Sequence, residues 1–253
     1  MTLVVPDVHG RNFWKEPCKN FDKYEKIVFL GDYVDPYGYE GITKENAIDN
    51  FKEIIFFAKE HSDKVILLLG NHCLPYISDY FLCNANGGRH DNKRHNEIKK
   101  LYLDNIKLFS LAYEDVINNK RYLFSHAGIC LSWFNKYKDE IKELSASAIN
   151  ALLESEDGIK PLCDVGASRF GRDKVGSMVW ADCDDHSLKS EEIEDIYQIF
   201  GHSQQESEPI IKDSYACLDV RECFEIDSNG IISRFKENEK IQTDEEQWHN
   251  KNS

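Results

Sequence analysis

Residues 27–35, Ile-Val-Phe-Leu-Gly-Asp-Tyr-Val-Asp, place a short apolar run directly before a glycine and two aspartates. The run Ile27–Leu30 does not alternate with polar residues, which is typical of a β-strand that is buried on both faces. The same arrangement occurs four more times, each time with an apolar run followed at once by a polar motif. The runs are Leu3–Pro6, Val65–Leu69, Tyr122–Phe124 and Tyr197–Phe200, and the motifs are DVHG, GNH, SHAG and GHS.

Helical patterns lie between the predicted strands. Thr43–Glu60 has apolar residues at the spacing of one helix face, and its first residue, a threonine, is a suitable N-cap. Asn135–Glu154 repeats that spacing and predicts a second long helix. Two further runs, Tyr215–Val220 and Ile231–Phe235, predict the last strands. Strands that alternate with helices indicate an α/β fold.

The chain has 253 residues, of which 41% are hydrophobic, and this is ordinary globular composition. We expect one domain over residues 1–236 and a loose polar tail over residues 237–253. The longest strongly apolar run, Val65–Leu69, is far shorter than the roughly 20 residues that a membrane helix needs. We therefore expect no membrane span.

The charge balance and the cysteines narrow the class of protein further. The 45 acidic and 31 basic residues give a formal net charge of −14. Such a surface repels phosphate backbones, so we expect no non-specific nucleic-acid binding and no membrane partner. The eight cysteines include no C-x-x-C pair, and we expect them to be reduced thiols in a cytoplasmic protein.

The polar motifs lie at the carboxyl ends of predicted strands, where open α/β sheets bind their ligands. Asp7 and His9 are two residues apart, so on a continuing strand both face the same way and can hold one cation. Asp32 has two oxygens and can bridge to a second cation. Each motif alone has an ordinary structural explanation, but five in order at strand ends predict a metal site. Carboxylate, imidazole and carboxamide groups suit Mn, Fe or Zn, and the second cation would be completed by Asn71, His126 and His202.

The ordered motifs resemble those of the calcineurin-like metallophosphoesterases, and within them the phosphoprotein phosphatases and their bacterial and phage relatives. The likeness rests on DVHG at 7–10, GDYVD at 31–35, GNH at 70–72, SHAG at 125–128 and GHS at 201–203. VWAD at 179–182 also resembles the tryptophan-containing segment before the last histidine motif of that branch. The resemblance extends from residue 3 to about residue 227. It implies two packed mixed β-sheets flanked by helices, an α/β/β/α sandwich.

The resemblance also implies an activity, that of a metal-dependent phosphoric ester hydrolase with two divalent cations. Mn is our first choice for these cations, with Fe or Zn as alternatives. One cation would be held by Asp7, His9 and Asp32, and the other by Asp32, Asn71, His126 and His202. A hydroxide that the two cations activate would attack phosphorus. His72 would protonate the leaving group, and Asp35 would hold the other ring nitrogen of His72.

Departures from the family pattern bear on the substrate. Pro36 stands where the family usually has an arginine, which would bind phosphate. Gln204 replaces the second histidine of the G-H-x-H form, and this favours the phosphoprotein-phosphatase-like branch. Arg169 is our first candidate for a replacement arginine. A basic stretch over residues 89–100 predicts either a side wall that attracts an anionic substrate, with Arg94 as a contact, or a solvated helix face.

The leading functional prediction is a phosphomonoesterase whose partner is a phosphopeptide or a small phosphoester, so that it could be a serine/threonine protein phosphatase. The alternative is a nucleotide-directed hydrolase, such as a dinucleoside polyphosphate hydrolase or a phosphodiesterase. A third interpretation is a metal-holding scaffold without turnover, but all six candidate ligands and His72 are present. We predict no particular oligomeric state.

Overall fold

Two β-sheets form the centre of the computed structural model, which describes residues 1–236. The first sheet has six strands and the second has five within this range. In chain order the strands are β1 (Thr2–Val5), β2 (Lys26–Phe29), β3 (Val65–Leu68), β4 (Phe109–Ser110), β5 (Ala112–Ile117), β6 (Lys120–Ser125), β7 (Ile196–Phe200), β8 (Ile210–Ile211), β9 (Tyr215–Cys217), β10 (Phe224–Ile226) and β11 (Ile232–Arg234). The predicted polar tail over residues 237–253 lies outside the described residues.

Both sheets are mixed, as the family resemblance implied. The first has the order β11-β10-β1-β2-β3-β4, in which β1 to β4 are parallel and β10 and β11 pair antiparallel. The second has the order β5-β6-β7-β9-β8, in which β6, β7 and β9 are parallel. Because parallel neighbours end at the same edge of a sheet, the loops after β1, β2 and β3 emerge together, and so do those after β6 and β7.

Helices connect the strands and cover the outer faces of the sheets. In the described residues they are α1 (Lys15–Cys18), α2 (Lys44–Glu60), α3 (Leu74–Ile77), α4 (Asp79–Asn84), α5 (His95–Asp104), α6 (Leu131–Lys136), α7 (Lys138–Ile141), α8 (Ala146–Asn150), α9 (Glu156–Ile159) and α10 (Cys183–His186). In this part of the chain no helix has both the length and the apolar character that crossing a membrane requires.

Alternate residues of the central strands face two different hydrophobic cores. Val4 lies between the sheets, in one cluster with Phe124 and Ile199 of the second sheet. Its neighbour Leu3 lies on the opposite face, in a cluster that includes Phe51 of α2. Each strand is therefore buried on both faces, which explains why the apolar runs in the sequence do not alternate. The two packed mixed sheets with flanking helices confirm the predicted α/β architecture.

The first predicted helix is confirmed and the second is wrong. Helix α2 begins at Lys44, and the Thr43 side chain accepts a hydrogen bond from the Asn46 backbone N–H at 3.1 Å, as an N-cap does. The predicted helix Asn135–Glu154 is instead broken into α6, α7, α8 and a short 3-10 segment. The break comes at Lys142, whose backbone φ of +67° is incompatible with an α-helix, and a new N-cap follows three residues later. The apolar spacing survived because these short helices bury their apolar residues in one core.

Candidate active site

The loops that follow β1 and β2 run side by side at the edge of the first sheet. The backbone N–H of His9 donates to the Asp32 carbonyl at 2.6 Å, and that of Gly10 donates to the Tyr33 carbonyl at 3.0 Å. His9 and Asp32 adopt φ values of +45° and +52°, a region that non-glycine residues rarely occupy. Such conformations cost roughly 1–2 kcal/mol each, so the surrounding hydrogen bonds must hold these two side chains in place.

The second sheet brings two histidines to the same edge. His126 follows β6 and His202 follows β7, and the Gly201 N–H donates to the His126 carbonyl at 2.8 Å. The two sheets meet here directly, because the His202 N–H donates to Asp7 Oδ1 at 3.0 Å. The sheet-to-sheet packing therefore unites motifs that are almost 200 residues apart in sequence.

One ligand atom from each of Asp7, Asp32, His126 and His202 lies within 4.8 Å of the other three. The other two predicted ligands join this group. His9 Nε2 lies 3.5 Å from Asp32 Oδ2, and Asn71 Oδ1 lies 2.9 Å from His126 Nε2. The structure thus brings together all six side chains that the sequence predicted as ligands, and all six are buried.

The ring nitrogens are arranged for a cation. His9 Nδ1 donates to the Val34 carbonyl at 2.9 Å and His126 Nδ1 donates to the Leu30 carbonyl at 2.8 Å, so the Nε2 atoms carry lone pairs. Around His126 Nε2 lie two oxygen acceptors, Asn71 Oδ1 at 2.9 Å and Asp32 Oδ2 at 3.5 Å, and a further imidazole nitrogen, His202 Nδ1, at 3.2 Å. Lone pairs that crowd together in a buried site repel one another unless a cation lies among them, so the donor set fits a divalent metal.

Burial determines the protonation state of two of the candidate ligands, His9 and His202. It lowers the pKa of His9 and of His202 well below the ordinary value for histidine, so both rings are neutral at pH 7. Within residues 1–236 the His202 Nε2 atom, which is buried, has no hydrogen-bond partner. Neutral imidazole is the form that binds metals.

The predicted acid dyad is also assembled. His72 Nδ1 lies 3.1 Å from Asp35 Oδ2, and the His72 backbone N–H donates to Asp32 Oδ1 at 2.9 Å. The other oxygen of Asp35 accepts from the Tyr76 hydroxyl at 2.7 Å, and this hydroxyl accepts from the Asp91 N–H at 2.8 Å. His72 Nε2 faces a cavity of about 160 Å³. The ring orientation is therefore imposed by a chain of hydrogen bonds from outside the cavity.

The two predicted substrate contacts differ in position. Arg169 lines the cavity, with Nη2 donating to the His202 carbonyl at 3.2 Å and Nε 2.6 Å from Asp182 Oδ2. Arg94 does not line it. The Arg94 guanidinium instead forms ion pairs with Glu45 and, at 3.2 Å, with Asp91.

Four further residues, which the sequence analysis did not single out as site residues, line the same cavity. They are Tyr37, Gly87, Arg89 and Trp180. Arg89 belongs to the basic stretch, but seven basic or imidazole side chains lie in that stretch and nothing in their order distinguishes it. The Trp180 ring packs edge-on against His202, with ring centroids 5.6 Å apart.

Comparison with known proteins places this arrangement in a family. A family model described as calcineurin-like phosphoesterase matches residues 2–206. A search of curated proteins finds no significant match. Among solved structures, a protein serine/threonine phosphatase from Saccharomyces cerevisiae with similarity to human phosphatase PP5 is similar in fold. It has a TM-score of 0.51 and 15% identity, and the match covers 95% of this chain and 81% of that chain. A second solved structure is the phosphatase domain of the Legionella effector WipB. It has a TM-score of 0.34 and 16% identity, and the match covers 54% of this chain and 51% of that chain.

Proposed function

The chain belongs to the calcineurin-like phosphoesterase family, and we propose that it is a phosphomonoesterase acting on phosphoserine, phosphothreonine or a small phosphoester. Membership makes it a dinuclear, metal-dependent phosphoester hydrolase with a phosphorylated substrate. The monoester preference and the serine/threonine class are our inference, supported by the motif pattern. The fold also resembles that of the serine/threonine phosphatase from Saccharomyces cerevisiae.

The observation that carries the proposal is the central position of Asp32. Its Oδ2 atom lies 3.5 Å from His9 Nε2 and 3.5 Å from His126 Nε2. This position suits a carboxylate shared by two cations. We assign the first cation to Asp7, His9 and Asp32 and the second to Asp32, Asn71, His126 and His202, with Mn as the first choice and Fe or Zn as alternatives. Bound divalent cations supply charge that neutralises phosphoryl oxygens and lowers the pKa of water toward about 7.

We assign His72 as the general acid. Its Nε2 atom faces the cavity while its Nδ1–H is directed at Asp35 Oδ2, 3.1 Å away. A protonated His72 would donate the Nε2 proton to the oxygen of the leaving group. Asp35 is a positioning residue, because its carboxylate holds the ring with Nε2 facing the cavity. Arg169 also lines the cavity and is a second candidate for contact with the phosphoryl group.

The nucleotide-directed alternative receives less support. The cavity of about 160 Å³ can accommodate a phosphoryl group. Tyr37, which could stack on a base, already has the Arg89 guanidinium 3.6 Å from its ring centroid. Tyr33 is fully buried in the core and cannot contact a ligand.

A substrate panel tests the proposed function. Metal-stripped and Mn-reloaded protein would be assayed with a phosphopeptide, an aryl phosphomonoester, an aryl phosphodiester and a dinucleoside polyphosphate. We expect Mn-dependent turnover of the monoesters and at least tenfold slower turnover of the other two. Faster diester or polyphosphate turnover would favour the alternative, and no turnover with metal bound would favour a scaffold. The cytoplasmic location stays a prediction.

A further inference from the structure

The Arg89 side chain enters the cavity beside the proposed acid and the proposed ligands. Its Nη2 atom lies 3.0 Å from His72 Nε2 and 3.3 Å from His9 Nε2, and its Nη1 donates to the Asp35 carbonyl at 2.9 Å. The guanidinium also lies over the Tyr37 ring, 3.6 Å from its centroid. The guanidinium is thus held by the Nη1 hydrogen bond, while its Nη2 atom faces the cavity.

Arg89 differs from the neighbouring arginines in its charge partners. Arg169 is paired with Asp182, and Arg94 is paired with Asp91. Across residues 1–236, Arg89 forms no ion pair with a carboxylate, and its partners are a carbonyl, two imidazoles and an aromatic ring. A part-buried cation that has no carboxylate partner and faces a cavity is suited to bind an anion there.

The segment that carries Arg89, residues 87–91, is built against the site and is called the wall segment below. The Asp91 N–H donates to the Tyr76 hydroxyl at 2.8 Å, and the His90 ring stacks on Tyr76 with centroids 4.3 Å apart. At Gly87 the backbone approaches so closely that a Cβ atom would lie 3.2 Å from His72 Nε2. The wall segment is therefore anchored to the same tyrosine that positions Asp35.

We propose that Arg89 binds the phosphoryl group of the substrate and that the wall segment, rather than the loop after β2, supplies this guanidinium. The proposal rests on the proposed function, because it assigns the anion as a phosphoryl group. His9 Nε2 cannot both accept from Arg89 and bind a cation, and His72 Nε2 cannot accept from Arg89 while it carries the proton that a general acid donates. Cation binding and protonation of His72 therefore free the two hydrogens of Arg89 Nη2 for another acceptor. The contacts with the Asp35 carbonyl and with Tyr37 keep the guanidinium in the cavity, where the phosphoryl oxygens are the next acceptors.

Binding of inorganic phosphate, the product common to phosphomonoesters, tests the proposal without turnover. Isothermal titration calorimetry would measure phosphate and Mn affinities of the wild type, Arg89→Gln and Arg89→Lys. Arg121→Gln is the matched control, since Arg121 lies at the start of β6, the opposite end from His126, and forms a half-exposed ion pair with Glu114. We expect Arg89→Gln to weaken phosphate binding to the Mn-loaded protein roughly 10- to 100-fold and Arg89→Lys to weaken it less. Arg121→Gln should change it less than twofold.

The Mn affinity of the variants shows whether Arg89 binds the anion or only supports the structure of the site. Loss of Arg89 removes a positive charge and a competing hydrogen bond from His9, so Mn should bind Arg89→Gln at least as tightly as the wild type. Weaker Mn binding would mean that Arg89 supports the fold of the site, and this would overturn the proposal. Unchanged phosphate affinity in Arg89→Gln, or no phosphate binding to the wild type, would also overturn it. If phosphate binding depends on Arg89 but no phosphoester is turned over, the proposed function fails and the anion assignment stands.

Discussion

The Tyr76 hydroxyl links the proposed acid dyad to the wall segment, and Tyr76→Phe removes only this group. The hydroxyl donates to Asp35 Oδ1 at 2.7 Å and accepts from the Asp91 N–H at 2.8 Å. Tyr76, Asp35 and Asp91 are all buried, so water cannot replace either bond without rearrangement. Burial and the neighbouring Asp35 raise the pKa of Tyr76, so the hydroxyl remains a donor throughout the working pH range.

The size of the effect follows from the two lost partners. A hydrogen bond to a charged group contributes about 1.5–3 kcal/mol, and a buried N–H left without an acceptor costs about 1–3 kcal/mol. Because the site will relax in part, we expect Tyr76→Phe to lower the free energy of unfolding by about 2–4 kcal/mol. The loosened Asp35 and wall segment should also lower kcat for phosphomonoesters.

Tyr102→Phe is the matched control for this experiment. Tyr102 is as deeply buried as Tyr76, but in residues 1–236 its hydroxyl has no nitrogen or oxygen hydrogen-bond partner and lies near the weakly accepting Cys73 sulfur. Removing this hydroxyl should change stability by less than about 1 kcal/mol. Urea denaturation followed by tryptophan fluorescence gives both values. The reasoning is refuted if Tyr76→Phe destabilises the protein no more than Tyr102→Phe does.

Three further predictions concern the proposed metal centre and acid. His72→Asn should keep its metal content while turnover of alkyl phosphates, which are poor leaving groups, falls roughly 10²- to 10⁴-fold; equal loss on an aryl phosphate would argue against the acid role. Asp32→Asn should lower the metal content measured by plasma mass spectrometry to one cation or fewer per chain, and full occupancy would exclude a shared ligand. Because burial lowers the pKa of His202 in the folded state, the unfolded chain binds more protons below about pH 6.5. The metal-free protein should therefore lose stability as the pH falls from 6.5 toward 5, and urea midpoints in His202→Asn should fall less steeply.

Sequence patterns predicted the central strands because burial on both faces leaves a simple signature. Runs such as Ile27–Leu30 are apolar without alternation, and they end where the chain meets a glycine and an acidic residue. The helices of residues 131–159 were harder to predict, because several short helices that bury one face have the same apolar spacing as one long helix. The interruption at Lys142 depends on a positive φ, which lysine does not favour. Neither a glycine nor a proline at this position predicts the break from the sequence.

The order of residue types along the chain was enough to predict which chemical groups form the site, since each candidate ligand follows a strand in an order that chance rarely produces. Which basic side chains of residues 89–100 face this site depends on long-range packing. Arg89 and Arg94 are five residues apart and chemically identical, yet one lies 3.0 Å from His72 and the other is paired with Asp91. The physical reason is that a side chain's partners depend on how the wall segment packs on Tyr76. This contact joins residues that are distant in sequence, and the sequence of the wall segment has no periodic pattern that would predict it.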